Sequence, residues 1–332
     1  MRILSIVHAY PPEHGSGAEW MLHALHTDLI KHGHEVKCQA HRLNNPVDFQ
    51  GVTVVKEITS DDIKWADVVI THLGSTGRAL NLAQQFNKPL VWIAHNTHKY
   101  GVINARKRGI HVVYNSHYVK DETFEHYKQH PSIIVRPPID VDHYKVRSKR
   151  THITLINYND LKGGVHLASI AGKLRDRKFL AVKGAYGKMV EDQPGNVEKM
   201  PNMEDIRAAY RKTKILIMPS RYETWGRTAA EAMCSGIPVI AHPTPGLKEC
   251  LGEAGRFVHS ITCHHGSRPS RRWRLHTMSG AKRLSYGHRR SASRRRQISR
   301  HSEIILLRYV VEYKRQRQYG RADLHGELGH GR

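Results

Sequence analysis

Short apolar runs alternate with amphipathic stretches along most of this chain. Each run is bounded by polar, glycine or proline residues, which is typical of strands buried in a parallel sheet. The predicted strands cover 3–7, 52–55, 67–70, 89–93, 111–114, 133–135, 153–156, 179–183, 197–200, 215–218, 239–241 and 255–258. Apolar positions at helical spacing predict helices over 18–32, 63–66, 76–86, 119–129, 165–174 and 203–213. This repeated order predicts an α/β fold with doubly wound parallel sheets.

A proline-containing segment, RPPIDVDHY, divides the pattern into two sets of elements. Pro137 and Pro138 fix the backbone and remove amide donors, as expected where a chain leaves a domain. We therefore place a boundary near Lys145. The predicted units are a Rossmann-like domain over 1–145, a second Rossmann-like domain over 146–258 and a tail over 259–332.

The second set contains a strand, a polar turn and a helix within 215–239. Thr228 is predicted to cap the helix, with Glu231 completing a capping box, and Gly236 to end it in a left-handed conformation. The amide groups at such a helix start can bind an anion such as phosphate. Glu223 and Glu231 could accept hydrogen bonds from vicinal sugar hydroxyls. On the local pattern alone, a solvated Glu223 and a merely capping Glu231 are equally good interpretations.

The wider string PSRYETWGRTAAEAMCSGIPVIA resembles the donor-binding signature of retaining GT-B glycosyltransferases of family 4, the glycosyl transferases group 1. The shared features are the Pro-Ser at the strand end, the two glutamates with seven residues between them, and the Gly-x-Pro-Val run. The resemblance implies two Rossmann-like domains and transfer of a hexose-type sugar from a nucleoside-diphosphate donor with retention. It further implies that Glu223 holds the donor sugar and Glu231 the ribose.

Other candidate site residues follow from the same resemblance. His95 ends a predicted strand and matches the family's histidine beside the donor sugar, so His95 and Glu223 are the catalytic candidates; His72 and His98 rank lower. Asn157 stands where the family has an arginine. Arg221 or Arg227 would therefore have to replace that positive charge at the diphosphate. The donor-binding candidates are Gly15, Ser16, Gly17, Lys162, Arg221, Glu223, Trp225, Gly226, Arg227 and Glu231.

The formal charge of +24 is distributed unevenly. Residues 1–258 carry +10, whereas the much shorter 259–332 carries +14. The resemblance ends near Val258, and the Arg-, Ser-, His- and Gly-rich composition beyond it predicts disorder, with only 304–313 apolar enough to order. Three interpretations compete for this tail: a basic arm for nucleic acid or an anionic membrane surface, a solvated tail without function, or a shifted reading frame, which we favour.

Composition excludes several classes of protein. The longest apolar runs are too short to span a membrane, and the first residues are interpreted as a strand rather than a signal peptide. Four scattered cysteines argue for a reduced compartment and against a zinc frame or disulfides. The 26 histidines include no H-E-x-x-H spacing, so we expect no metal site. We also expect no cofactor, with the nucleoside-diphosphate sugar as co-substrate. We predict a cytoplasmic protein, with peripheral contact at the inner membrane face left open.

Two alternatives to glycosyl transfer remain at this stage. A sugar-nucleotide epimerase of the same fold would turn over a donor without an acceptor. A degenerate, non-catalytic relative would bind a nucleotide, or nucleic acid through its basic tail. Neither the nucleobase and sugar of the donor, nor the acceptor, nor the oligomeric state is specified by a side chain in this sequence.

Overall fold

The computed structural model describes residues 1–98 and 109–259, which belong to one compact unit, Met1–His259. The predictions made for the tail lie outside these residues, except at His259. The domain boundary near Lys145 stays a prediction. Two sheets are present: the strands of the first end at Ile134, and those of the second begin at His152.

The first sheet has eight strands in the order β3-β4-β2-β1-β5-β6-β7-β8. These strands are β1 (Arg2–Val7), β2 (Glu35–Ala40), β3 (Val47–Phe49), β4 (Val52–Val55), β5 (Val68–His72), β6 (Leu90–Ala94), β7 (Ile110–Tyr114) and β8 (Ser132–Ile134). Its helices are α1 (Gly17–Lys31), α2 (Ser60–Trp65), α3 (Thr76–Gln85), α4 (His117–Glu122) and α5 (Glu125–Lys128). All pairs are parallel except β3 with β4, so the carboxyl ends of β1, β5 and β6 meet at one edge.

The second sheet has six parallel strands in the order β11-β10-β9-β12-β13-β14. They are β9 (His152–Ile156), β10 (Lys178–Val182), β11 (Val197–Met200), β12 (Thr213–Met218), β13 (Val239–Ala241) and β14 (Arg256–Phe257). The helices in this half are α6 (Val141–Tyr144), α7 (Gly164–Lys173), α8 (Arg207–Tyr210), α9 (Arg227–Cys234) and α10 (Pro245–Leu251). Parallel sheets of this kind confirm the predicted fold class.

Both sheets contribute apolar side chains to the buried core. Leu4, Val69, Trp92 and Tyr114 come from adjacent strands of the first sheet and lie in one cluster, each at most 1% exposed. These strands are apolar on both faces because helices cover a parallel sheet on both sides. Among the described residues, no helix combines the length and the apolar composition that crossing a bilayer requires.

Three predicted helices differ from the structure. The helix predicted over 119–129 is two short helices, because Thr123 and Phe124 are extended between them. Only Arg207–Tyr210 of the helix predicted over 203–213 is helical, and Thr213 already lies in a strand. The third difference concerns Thr228, which does not cap its helix. The cap is Gly226 at φ 100°, a conformation that suits glycine, so the helix begins at Arg227.

Candidate functional site

Lys162 and Glu223 form an ion pair at the carboxyl ends of β9 and β12. The Nζ of Lys162 lies 2.6 Å from Oε1 of Glu223, and both side chains are largely buried. Ser220 donates a second hydrogen bond to the same oxygen, at 3.0 Å. Burial lowers the pKa of Lys162, but Glu223, Tyr186 and Tyr222 together raise it by more, so the net shift is upward and the lysine stays charged. Both charged side chains therefore lie at the carboxyl end of the second sheet.

The turn that carries Lys162 depends on two glycines. The amide of Lys162 donates to Oδ1 of Asn159 at 2.8 Å. Gly163 has φ +97°, and a Cβ there would lie 2.3 Å from Cγ of Pro219. Gly164 begins α7 with its Cα packed against the backbone of Tyr158. A side chain at Gly163 would collide with Pro219 after β12, and a side chain at Gly164 would collide with the carbonyl of Tyr158.

The start of α9 lies beside this pair. The first helical hydrogen bonds run from Ala229 and Ala230 to the carbonyl of Gly226. The amides of Gly226, Arg227 and Thr228 precede them, as the sequence predicted for a helix N-terminus. The predicted capping box is wrong: Thr228 lies inside the helix, and its hydroxyl donates to Sδ of Met218 at 3.7 Å.

Glu231 is a buried, paired carboxylate rather than a cap. It is 4% exposed, one oxygen lies 2.7 Å from Nε of Arg227, and the other accepts from the hydroxyl of Tyr210 at 2.8 Å. Arg227 also donates to the carbonyl of Pro138 at 3.1 Å and to the hydroxyl of Tyr144 at 3.2 Å. Burial lowers the pKa of Arg227, yet Glu231 and Tyr144 raise it overall, so the guanidinium remains charged. The donor-binding roles of both residues stay predictions.

The other residues predicted on this half have different surroundings. Arg221 is exposed and pairs with Asp160 at 3.3 Å. Trp225 lies under the guanidinium of Arg136, whose carbon is 5.5 Å from the ring centroid. Asn157 is buried at φ 61°, a left-handed conformation that asparagine tolerates, and its side chain occupies the space above Gly184. The side chain of Asn157 is therefore packed inside the protein.

The Gly15-Ser16-Gly17 loop leads into α1 as predicted. Ser16 is the N-cap, and Glu19 completes a capping box by accepting from the amide of Ser16 at 3.2 Å and from its hydroxyl. A Cβ at Gly15 would lie 2.5 Å from Nε1 of Trp20. Glu19 is 3% exposed, and its other oxygen lies 3.4 Å from Nε2 of His8.

His95 follows β6 at the carboxyl edge of the first sheet. It is 8% exposed, and its Nε2 lies 3.0 Å from Nδ1 of His72. Burial lowers the pKa of His95 to about 3, as it does for His72, with neighbouring histidines adding to each shift. Both imidazoles are therefore neutral at neutral pH. His98 lies further along the loop, where its ring stacks on Tyr222.

The structure brings the His95 edge and the Glu223 turn together. Asn115 donates to the carbonyl of His95 and to the hydroxyl of Thr224, both at 3.2 Å. The amide of Thr97 donates to the hydroxyl of Tyr222 at 3.1 Å. Sequence reasoning did not assign a role to these linking residues. The one available signal was that Asn115, like His95, directly follows a strand that ends at this edge.

A second group of contacts joins the two halves nearby. The two oxygens of Glu249 accept from the amides of His117 and Tyr118, both at 3.1 Å. Arg136 lies 3.3 Å from the same carboxylate. A carboxylate at these amides is favourable because they begin α4. Such contacts hold the two carboxyl edges next to each other.

Residues 159–263 match the family model described as Glycosyl transferases group 1. Comparison with curated protein sequences finds no match. Solved glycosyltransferase structures are similar to a larger part of the chain. A glycosyltransferase from Rickettsia africae ESF-5 has a TM-score of 0.59 and 18% identity, over 78% of this chain and 84% of that chain.

Two further structures have the same architecture. Anabaena Alr3699/HepE, solved in complex with UDP-glucose, has a TM-score of 0.60 and 15% identity over 78% of this chain and 85% of its own. Sucrose-phosphate synthase (tll1590) from Thermosynechococcus elongatus has a TM-score of 0.61 and 14% identity over 78% and 86%. The chain therefore has the GT-B glycosyltransferase fold, with a group 1 domain in its second half.

Proposed function

We propose that this protein transfers a hexose-type sugar from a nucleoside-diphosphate sugar to an acceptor, with retention at the anomeric carbon. The observation that carries the proposal is the Lys162–Glu223 ion pair, next to the start of α9 and linked to the His95 edge through Asn115 and Thr224. This arrangement offers a cation and a helix N-terminus for a diphosphate, and a carboxylate for sugar hydroxyls.

In this proposal, catalysis is mainly electrostatic stabilisation of the leaving diphosphate. Lys162 exchanges its contact with Glu223 for the diphosphate, and the amides of Gly226 and Arg227 donate to the same group. Glu223, released from the lysine, accepts from hydroxyls of the donor sugar. The charge of the leaving group is met by these groups, so the diphosphate itself requires no metal.

His95 is the second catalytic residue in the proposal. Burial keeps its imidazole neutral, so it can donate or accept one hydrogen bond at the sugar without adding charge. Glu231 stabilises α9 and accepts a hydrogen bond from the ribose. Arg227 stays paired with the carboxylate of Glu231. The glycine loop before α1 lets the backbone approach the donor from the opposite sheet.

Binding of donors to the purified full-length chain tests the site. A ligand that binds only the folded state raises the thermal midpoint, and saturation at 100 times Kd adds about 2.7 kcal/mol to the free energy of unfolding. UDP-, GDP-, ADP- and TDP-sugars are compared, UDP-glucose first because HepE was solved with it. One nucleotide class should raise the midpoint. No shift with any of them would contradict the proposal.

Two substitutions assign that shift to the site. Lys162→Met and Glu223→Gln should abolish the shift, since each removes one charge with little change in volume. Lys199→Met is the matched control, because Lys199 pairs with Glu191 on the exposed edge strand β11. An unchanged shift in Lys162→Met would show that the donor binds elsewhere.

Product analysis separates transfer from the two alternatives. With donor and a panel of acceptors, NMR of the product should show the anomeric configuration of the donor. An isomerised sugar formed without acceptor would support the epimerase, and binding without turnover would support the non-catalytic relative.

A further inference from the structure

Two histidines and a glutamate converge beside the predicted catalytic histidine. His8 directly follows β1 and His72 ends β5, and these two strands are hydrogen-bonded neighbours, so their carboxyl ends lie side by side. Glu19 comes from the first turn of α1, which starts at the same edge. None of the three residues belongs to the proposed donor site.

The ligand atoms of these side chains are already close. Nε2 of His8 lies 3.4 Å from Oε1 of Glu19, and one atom from each of His8, Glu19 and His72 lies within 4.8 Å of the other two. Nitrogen and oxygen ligands around a tetrahedral zinc ion lie roughly 3.3 Å apart, because each is about 2.0 Å from the metal. Small rotations of the side chains would therefore bring the three atoms to metal-binding distance.

Two imidazole nitrogens of the cluster, Nδ1 of His8 and Nε2 of His72, are buried and lack a hydrogen-bond partner in the described part of the chain. His72 is fully buried, and its Nε2 has no hydrogen-bond partner among the described residues. Its Nδ1 lies 3.0 Å from Nε2 of His95. If Nδ1 carries the proton, Nε2 is a buried lone pair without a donor; if Nε2 carries it, a buried N–H lacks an acceptor. Either state is unfavourable in a protein interior.

The hydrogen bonds of Glu19 also suit a cation site. Ser16 holds Oε2 of Glu19 through its amide and its hydroxyl, which leaves Oε1 directed to His8. Hydrogen bonds of this kind orient the ligands of protein metal sites.

We propose that His8, Glu19 and His72 bind one divalent transition-metal ion of the zinc type, with its fourth position open to water or a substrate oxygen. Two histidines and one carboxylate are a ligand set of zinc sites that keep an open position. A simple His8–Glu19 contact is the competing interpretation, but it leaves Nε2 of His72 without a partner. The site departs from the expectation of a metal-free protein, and it does not depend on the proposed sugar transfer.

A bound ion would position His95. The lone pair of Nε2 on His72 would go to the metal, so Nδ1 of His72 would carry the proton and donate it to Nε2 of His95. The proton of neutral His95 would then lie on its own Nδ1. The metal would thus fix the tautomer of the predicted catalytic histidine without contacting it.

Cobalt substitution tests the site on the full-length chain. The protein is stripped with a chelator, dialysed and titrated with Co²⁺, whose tetrahedral complexes absorb visible light strongly, and Zn²⁺ is then added to displace it. We expect one equivalent with tetrahedral absorption that Zn²⁺ removes. No such absorption in the wild-type chain would overturn the proposal.

Variants separate this site from the many other histidines of the chain. His72→Gln and Glu19→Gln should lose the tetrahedral absorption, and their affinity for Co²⁺ should fall by more than the roughly 10- to 100-fold typical of an outer-shell change. His117→Gln, at an exposed histidine, should bind like wild type. Equal absorption in all three variants would mean that scattered histidines bind the ion, which would overturn the proposal.

A folding control keeps the result interpretable. His8→Gln changes the only partly exposed ligand, so it is the variant least disruptive to packing. Circular dichroism and thermal midpoints of the stripped proteins establish that each variant is folded. A folded His8→Gln that retains the tetrahedral cobalt band would exclude His8 as a ligand and overturn the three-residue site.

Discussion

The carboxyl edges of the two sheets bury polar groups in opposite ways. At the first edge, His72 and His95 are neutral imidazoles in contact with each other. At the second edge, charged groups are buried as pairs, Lys162 with Glu223 and Arg227 with Glu231. Burying an unpaired charge is far more costly than burying a neutral polar group, so the two imidazoles and the two ion pairs avoid that cost by different routes.

The two edges should respond differently to acid and to single substitutions. A neutral histidine edge is sensitive to protons, because acid favours the charged imidazole that the interior disfavours. A paired edge is sensitive to loss of one partner, because the other charge then stays buried alone. Acid titration and single substitutions should therefore affect the two edges selectively.

The largest expected effect is that of acid on the first half. His26, His72 and His95 have pKa values near 3 when folded, against 6.5 ordinarily. Below pH 6.5 the unfolded chain binds protons that the folded chain does not, so stability falls as the pH drops from 6.5 toward 3. Each histidine adds a slope of up to about 1.4 kcal/mol per pH unit. Denaturant titrations between pH 7 and 5, with chelator present, measure this.

Substitution of His26 is the control for that slope. His26 is fully buried and lies 2.7 Å from the hydroxyl of Ser5. His26→Gln cannot take up the proton, so the slope should fall by about one proton even if the variant is less stable overall. Stability that does not change from pH 7 to 5 would show that these imidazoles are not held neutral.

The next effect is expected at the second edge from Arg227→Met. The substitution leaves the carboxylate of Glu231 buried without a cation beside it, although the hydroxyl of Tyr210 still donates to it. Breaking a buried pair from one side costs about 3–5 kcal/mol, whereas replacing both partners is often close to neutral. The double variant Arg227→Met/Glu231→Met should therefore recover most of the loss. Urea denaturation of the two variants measures it.

An exposed pair provides the matched control for Arg227. Lys128 and Glu125 form an ion pair near the surface, with the carboxylate 85% exposed. Lys128→Met should change stability by less than about 1 kcal/mol. If Arg227→Met costs no more than Lys128→Met, the contrast between the two edges is wrong.

A smaller loss is expected from Gly163→Ala, which tests the backbone that holds Lys162. The left-handed φ of +97° costs an alanine about 1–2 kcal/mol, and its Cβ would also collide with Pro219. Gly33→Ala is the control, since Gly33 has φ +78° but open space around it. The variant at Gly163 should lose more stability than the control and also weaken donor binding. Equal losses would mean that the close contact with Pro219 is readily relieved.

Much of the fold could be predicted from the sequence, because buried parallel strands are continuous apolar runs. The apolar run 215–218 and the stop at Gly236 are both confirmed. The predicted start of α9 was wrong because Gly226, two residues before the predicted cap Thr228, already turns the chain. That spacing places Arg227 and Glu231 four residues apart on one helix face, a pairing that helix periodicity could have indicated.

The surroundings of the candidate site residues could be predicted less well. Burial of Glu231 depends on Tyr210, a residue distant in sequence that arrives only through the fold. The contact of His72 with His95 likewise depends on strand order, because β5 and β6 are neighbours in the first sheet. The sequence identified the residue types at the strand ends but not which polar atoms would lack a partner.

The smallest expected effect on stability is that of Arg221→Ala, and it sharpens the comparison at the donor site. Arg221 and Asp160 are both more than half exposed, so their pair should contribute less than about 1 kcal/mol. Arg221 nevertheless lies on the turn after β12, close in sequence to Glu223, whereas Arg227 is held by Glu231, Tyr144 and Pro138. If either arginine supplies the charge missing at Asn157, the exposed Arg221 can do so at little cost in stability.

Donor titrations of Arg221→Ala should then show weaker binding that depends less on salt, with an unchanged thermal midpoint without donor. Unaltered donor affinity would assign neutralisation of the diphosphate to Lys162 and the amides of α9 alone.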